Sequence, residues 1–333
     1  MISVVSLGSK FSGGGIVLRE IVAAIEARSI QIETIEPTRA VSIFLQRLLQ
    51  VIWIFFWPLR IINTPAQTVL VAHSLFLLSP FIFLLRKRNL FFLFQGEEYK
   101  ALQSPMMAHA AHWLLKGGFK YFQCIPTNRY LLDVAQRMGG QTPPIKISLG
   151  PKREFFFHQE AHIDRKYVIV FAREGYNKGL VDALEVAQRI RQELTVKFVA
   201  PDESIAAKIR AQGFNCLVSV DPTHVCRQLR EATALFLPSH YEGLSLPMLE
   251  ALAVGTPVVT YSKGFPQYYS NLNNHVRFIE GRDAAIASAS LIEVSKSQFY
   301  SAACNAFLDR TCFSFEGYCD EVANLLINSV GAR

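Results

Sequence analysis

Residues 234–261 read ALFLPSHYEGLSLPMLEALAVGTPVVTY, and the fold can be worked outward from this stretch. Ala234 to Pro238 is wholly apolar, as suits a parallel strand covered on both faces. A loop follows, holding Glu242, Gly243 and Ser245. Pro247 fits the first turn of a helix, Gly255 closes that helix, and Pro257 leads into the next strand, Val258 to Tyr261. Glu242 and Glu250 are eight apart, one in the loop and one on the helix, so both can face one crevice. Amides left unbonded at such a helix start favour a phosphate, and Gly243 lets the backbone come close to it. A carboxylate inside MLEALAV is costly to bury alone, so Glu250 calls for partners such as a pair of hydroxyls. The plainer alternative makes Glu250 a helix-dipole partner and Glu242 a solvated loop charge.

The strand-then-helix alternation extends in both directions. Tyr167 to Phe171, Val196 to Val199 and Leu217 to Val220 read as strands before this segment. The first half repeats the pattern with Ile2 to Leu7, Ile30 to Ile35, Val69 to Ala72, Leu90 to Phe94, Tyr121 to Ile125 and Ile145 to Ile147, and with a helix over Ile16 to Arg28. Such alternation predicts parallel sheets with helices on both faces. At 333 residues, two domains are the default, and Gly150 to Lys166 (GPKREFFFHQEAHIDRK) suits a linker. In sheets of this kind ligands bind beyond the carboxyl ends of the strands, so two domains facing each other would place a site in the cleft between them.

A second segment, Val168 to Leu180 (VIVFAREGYNKGL), places Arg173 and Lys178 just after a strand. A third, Ser12 to Gly15, puts three glycines between the first strand and the first helix. It misses the dinucleotide fingerprint G-x-G-x-x-G, because Leu18 stands where the last glycine belongs. No D-x-D pair for Mg²⁺ stands out.

These residues carry a resemblance to the retaining glycosyltransferases of family 4, which have the GT-B fold, through the E-x7-E segment from Glu242 to Glu250. The resemblance implies an α/β protein of two tandem Rossmann-like, doubly wound domains facing a cleft. Residues 1–155 would bind the acceptor, residues 156–314 the nucleotide-sugar, and the helix at 315–333 would cross back to the first domain. It further implies that Glu242 contacts the donor sugar, that Gly243, Leu244, Ser245 and Leu246 hold sugar and phosphate, and that Glu250 binds the ribose hydroxyls. Arg173 and Lys178 would clamp the diphosphate without a metal, and Gly14 and Gly15 would belong to the glycine-rich first loop at the donor. Gln95, in LFQGEEY, stands where many relatives carry a His near the reaction centre, and Gln267 where they carry a Glu. Gln donates a hydrogen bond but is no general base. Glu97 and Glu98 are candidates for positioning the acceptor, or else a solvated loop pair. His73 is a further candidate, or else a hydrogen-bonded core histidine.

The expected activity is transfer of a hexose from a nucleoside-diphosphate sugar, with no other cofactor, to a saccharide acceptor. A lipid-linked acceptor in surface polysaccharide synthesis (lipopolysaccharide or capsule) is the expected setting. The alternatives are a catalytically silent nucleotide-sugar-binding or partner subunit, and a sugar-nucleotide epimerase of the same fold.

Composition agrees with a globular enzyme and adds a location. Half the residues are apolar and only 18% charged, which excludes a disordered chain. Six cysteines without a C-x-x-C pair argue for free thiols and a cytoplasmic protein. Residues 1–160 carry 17 Lys and Arg against 9 Asp and Glu, whereas residues 161–333 carry 17 against 18. The basic half is also the more apolar, in Ile43 to Ile62 and Leu75 to Phe94. Its charges are interleaved with Trp, Phe, Leu and Ile, which favours an anionic membrane over nucleic acid. Trp53, Phe55, Phe56 and Trp57 beside Arg47 and Arg60, with Arg86, Lys87 and Arg88, are the expected contacts. Thr68 to Leu85 is uncharged, but Ser79-Pro80 reads as an N-cap and a first helical proline, so no spanning segment is expected.

Overall fold

The computed structural model describes residues 1–6, 13–37, 43–101, 104–156, 165–173, 178–218, 221–262, 276–297 and 313–330. The chain divides into two units, Met1–Leu149 with Phe315–Arg333, and Gly150–Ser314. Each is built on one all-parallel sheet with helices, the two-domain α/β architecture expected of the sequence.

The first unit's strands are β1 (Ile2–Val5), β2 (Ile32–Ile35), β3 (Thr68–Val71), β4 (Asn89–Phe94) and β5 (Gln123–Pro126), in the order β2-β1-β3-β4-β5. Its helices are α1 (Gly13–Glu26), α2 (Ile43–Ile61), α3 (Pro105–Phe119) and α4 (Arg129–Arg137). The helix after the second unit, Phe315–Val330, is α10 and packs on α1 and β3. Alternation along β4 splits its side chains between two faces. Leu90, Phe92 and Phe94 join Trp57, Phe76, Leu85 and Phe119 in one core cluster, while Phe91 and Leu93 are buried outside it.

Four local expectations for this unit change. Ile145 to Ile147 is not a strand: it follows Pro143-Pro144, and the N–H groups of Lys146 and Ile147 donate at 2.9 Å to the Glu321 carboxylate on α10. Helix α1 begins at Gly13, so Gly14 and Gly15 form its first turn instead of a loop. Ser79 does not cap a regular helix; its hydroxyl donates to Phe55 O and accepts from Phe81 N, tying α2 to two tight helical turns, Ser74–Leu78 and Ile82–Leu85. Trp53 and Trp57 are buried, with the Trp57 indole donating to Phe76 O at 3.0 Å, and only Phe55 and Phe56 of that quartet face outward.

The second unit's strands are β6 (Tyr167–Phe171), β7 (Val196–Ala200), β8 (Asn215–Val218), β9 (Ala232–Leu237), β10 (Val258–Tyr261) and β11 (Val276–Ile279), in the order β11-β10-β9-β6-β7-β8. Helices α5 (Leu180–Ile190), α6 (Glu203–Arg210) and α9 (Ala284–Lys296) share one core cluster with Val168 and Val170 of β6. Helices α7 (Pro222–Arg230) and α8 (Leu246–Ala253) share the other with Tyr167 and Ile169. Every strand here is apolar at most of its positions because helices cover both faces.

Strand order fixes where each sheet is open to a ligand. From β6 the chain steps outward through β7 and β8, then returns to β9 on the other side of β6. Helices on either side of that reversal splay apart, leaving a crevice beyond the carboxyl ends of β6 and β9. In the first unit the reversal lies between β1 and β3.

Candidate active site

The loops after β6 and β9 meet at the second sheet's reversal point, and between them they hold Arg173, Lys178 and Glu242. Glu242 is buried, and its Oε1 accepts from Lys178 Nζ at 2.9 Å and from Ser239 Oγ at 2.7 Å. A second link runs alongside: His240 Nε2 lies 2.9 Å from Asp182 Oδ2 in the first turn of α5. The third is steric. Gly179 has φ +66°, and a Cβ there would stand 2.0 Å from Pro238 O. The start of α5 is thus pressed directly on the end of β9, which only glycine permits.

Helix α8 opens at Ser245, with Pro247 in its first turn and Gly255 (φ +77°) beyond its end. The Ser245 side chain does not cap the helix, and its buried Oγ has no hydrogen-bond partner among the described residues. A buried hydroxyl of this kind is unusual, and beside first-turn amides it forms a donor set for an anion. Gly243 is buried and Leu244 packs on the core beneath the loop. One turn along α8, burial pushes the Glu250 carboxyl up to about 7, with Arg173 and Lys152 pulling it back down. Arg173 therefore acts electrostatically on Glu250 while its loop neighbour Lys178 pairs with Glu242.

The sequence-predicted donor residues Arg173, Lys178, Glu242, Ser245 and Glu250 accordingly belong to one strand-end region. Sequence reading missed the residues that fix it: Gly179, Asp182, Ser239, His240 and Lys152. The N-K-G-L turn signal marks Gly179, but nothing local marks the Asp182–His240 pairing across 58 residues. Gln267 lies outside the described residues. Among the described residues no group of three or more His, Cys, Asp or Glu gathers as a metal site.

In the first unit, Gln95 follows β4, partly buried. Glu97 is buried and accepts from Tyr99 Oη, Tyr130 Oη and, at 2.5 Å, Lys100 Nζ. Burial alone raises its pKa; the bonds from Lys100, Tyr130 and Tyr99 outweigh that and hold it below the ordinary value. Glu97 is thus no solvated loop charge. Glu98 is in the tight turn Glu98–Ala101. His73 Nδ1 accepts from Leu75 N at 3.3 Å and caps the turn Ser74–Leu78, with its ring edge-on to Phe76.

Comparison with known proteins adds to this geometry. Residues 151–306 match the family described as glycosyl transferases group 1. A stretch of 130 residues is 26% identical to the MMP α-(1→4)-mannosyltransferase of Mycolicibacterium hassiacum, taking in 35% of this chain and 31% of that protein. Among solved structures, sucrose-phosphate synthase of Thermosynechococcus elongatus aligns with a TM-score of 0.72 at 15% identity, over 100% of this chain and 99% of that one. HepE of Anabaena, in complex with UDP and glucose, aligns with a TM-score of 0.67 at 13% identity, over 98% and 99%. The chain has the fold of GT-B glycosyltransferase structures.

Proposed function

We propose that the protein transfers a sugar, with retention of anomeric configuration, from a nucleoside-diphosphate sugar to a saccharide acceptor. The Lys178–Glu242 pair at the reversal point of the second sheet, beside the unpartnered Ser245 hydroxyl, carries this reading. The match to glycosyl transferases group 1 supports it, as does the shared fold of HepE, which was solved with UDP and glucose.

In this reading the bond from the anomeric carbon to the diphosphate oxygen breaks, and the departing diphosphate gains charge. Arg173 and Lys178 stabilise that charge in place of a metal, aided by the amides and hydroxyl at the start of α8. Glu242 orients Lys178 and contacts the donor sugar. The acceptor oxygen bonds to the same face of the sugar, and its proton passes to the departing phosphate oxygen. That step asks no base of the protein, so Gln95 serves as a hydrogen-bond donor. Gly14 and Gly15 are assigned to the donor, and Glu98 and His73 to the acceptor. Glu97 acts there by holding Tyr99, Lys100 and Tyr130 in place. A lipid-linked acceptor of surface glycan synthesis fits the basic, apolar first unit.

Incubation with UDP- and GDP-sugars and a saccharide panel, read by nucleoside diphosphate release and by proton NMR of the product, tests the proposal. The expected product keeps the donor's anomeric configuration. Inversion overturns retention, and interconversion of the donor without acceptor identifies an epimerase. Donor binding without turnover across the panel leaves a silent subunit.

Glu250 gives the proposal a pH signature. Its carboxyl, pushed up to about 7, holds a proton below that pH, and accepting from both ribose hydroxyls requires losing it. Donor affinity measured by calorimetry is therefore expected to be level above about pH 8 and to fall toward tenfold per pH unit below about pH 6. Glu250→Gln should bind more weakly and without that dependence.

A further inference from the structure

We propose that one face of the first unit, formed by α2, the turn Ile82–Leu85 and α3, docks on an anionic lipid bilayer. Exposed large apolar side chains are distributed very unevenly among the described residues. Three lie in the second unit, Val181, Val218 and Ile286; the other twelve lie on these three elements or within two residues of them.

Topology gathers them on one side. From β2 to β3, β4 and β5 the chain always steps in the same direction across the sheet. Right-handed crossovers then lay α2, the tight turns and α3 on a single face, and α1, whose step is reversed, on the other. Both α2 and α3 pack on the turn Ser74–Leu78, which lies between them.

Helix α2 is apolar on both sides. Trp53, Trp57 and Ile61 recur every fourth residue and fill the core, while Ile52, Phe55, Phe56 and Leu59 form a second stripe facing outward. The Phe56 ring lies 5.4 Å from that of Phe81, which extends the stripe toward the exposed Phe83 and Leu84. Helix α3 buries Leu115, Gly118 and Phe119 and presents Met106, Met107, Trp113 and Leu114, with Trp113 71% exposed. A face this rich in exposed aromatic and aliphatic side chains marks an interaction surface.

Charge selects the occupant. Residues 37–132 contain ten Lys and Arg and two acids, Glu97 and Glu98. Glu97 is buried against Lys100. Arg60, Arg86, Lys87, Lys116 and Lys120 are exposed on or beside the same elements. A second copy of the chain would bring two basic faces together, whereas anionic headgroups complement this one. Each basic side chain at such a surface raises partitioning by about fivefold. No helix among the described residues is long and apolar enough to cross a membrane, so these elements lie along the interface. Arg88 is not part of the contact: its guanidinium is spent on the carbonyls of Ile62, Thr64 and Ala66 and on the Thr64 hydroxyl.

The inference stands apart from the sugar-transfer reading, and flotation of the full chain needs no substrate. The protein is expected to float with vesicles containing about one-third phosphatidylglycerol at low salt, but not with phosphatidylcholine alone, and to be released in part near 1 M salt, where screening shortens to about 3 Å. Phe55→Ser with Phe83→Ser and Trp113→Ser, and separately Lys116→Glu with Lys120→Glu, should each lower binding at least tenfold. All five side chains are exposed, so melting temperatures should not change. No flotation on anionic vesicles at low salt overturns the proposal, as does flotation that these variants leave unchanged. A dimer in solution that the same variants dissociate also overturns it, assigning the face to a second copy.

Discussion

Glu242→Gln is expected to lower kcat for sugar transfer by about 10²- to 10³-fold, a loss of roughly 3–4 kcal/mol in transition-state stabilisation. The melting temperature should fall slightly. Glu242 and Lys178 are both largely buried, and the amide of Gln still accepts from Lys178 and Ser239 but no longer neutralises the Lys178 charge. Lys178→Ala should cost similar activity but more stability, because it leaves the Glu242 charge buried without that cation, beside the Ser239 hydroxyl. Arg173→Ala should reduce turnover to a comparable extent. The two members of the pair act through one contact, so Lys178→Met combined with Glu242→Gln should be far from additive. Steady-state kinetics and calorimetry on these variants decide the matter; unchanged transfer by all three single variants removes the assignment.

Gly179→Ala is expected to be more damaging to the fold than any of these. The residue has φ +66°, which costs an L side chain about 1 kcal/mol, and the new methyl would stand 2.0 Å from Pro238 O. A carbonyl at the end of a central strand cannot turn aside as a flexible side chain does. The start of α5 must therefore move away from β9, at an expected total of about 3 kcal/mol and a melting point lower by roughly 6–12 °C. Gly213→Ala separates the two causes. Gly213 has φ +81° but nothing within 4 Å of its added Cβ, so only the conformational term of about 1 kcal/mol applies. Equal losses for the two variants would show that the approach to Pro238 carries no weight. Because Lys178 immediately precedes Gly179, transfer by Gly179→Ala should fall even where the protein remains folded.

The two sheets were legible because parallel strands covered on both faces leave long apolar runs, and β4 (NLFFLF), β6 (YVIVF) and β9 (ATALFL) are of that kind. Edge strand β11 escaped notice: it has four residues, with Arg277 exposed in the middle. Ile145 to Ile147 misled in the opposite way, since its apolar pattern suits a strand but its N–H groups serve a carboxylate from a distant helix. In the candidate site, Glu242 and Glu250 could be read because their spacing is local. The links that hold Glu242 could not, since Lys178 and Glu242 are 64 residues apart and meet only through the adjacency of β6 and β9. The same holds for Glu97, whose partner Tyr130 is 33 residues further on. On α2 the aromatic cluster was visible in sequence. Which of its members face the core depended on where the helix seats on the sheet.

The first unit is assembled from two separate pieces of chain, and this sets the order in which a ribosome can complete it. Helix α10 buries Tyr318, Val322 and Leu326, with Cys319 Sγ against Val17 O of α1, Glu321 on the amides of Lys146 and Ile147, and Tyr318 Oη on Pro126 O at 3.2 Å. All these contacts wait while residues 150–314 are translated, an interval of roughly 10–30 s at ordinary elongation rates. At its end the second unit has its whole sequence and the first still does not. Until α10 is made, the nascent first unit keeps uncovered the side of α1 on which that helix packs. The domain begun first is the one finished last.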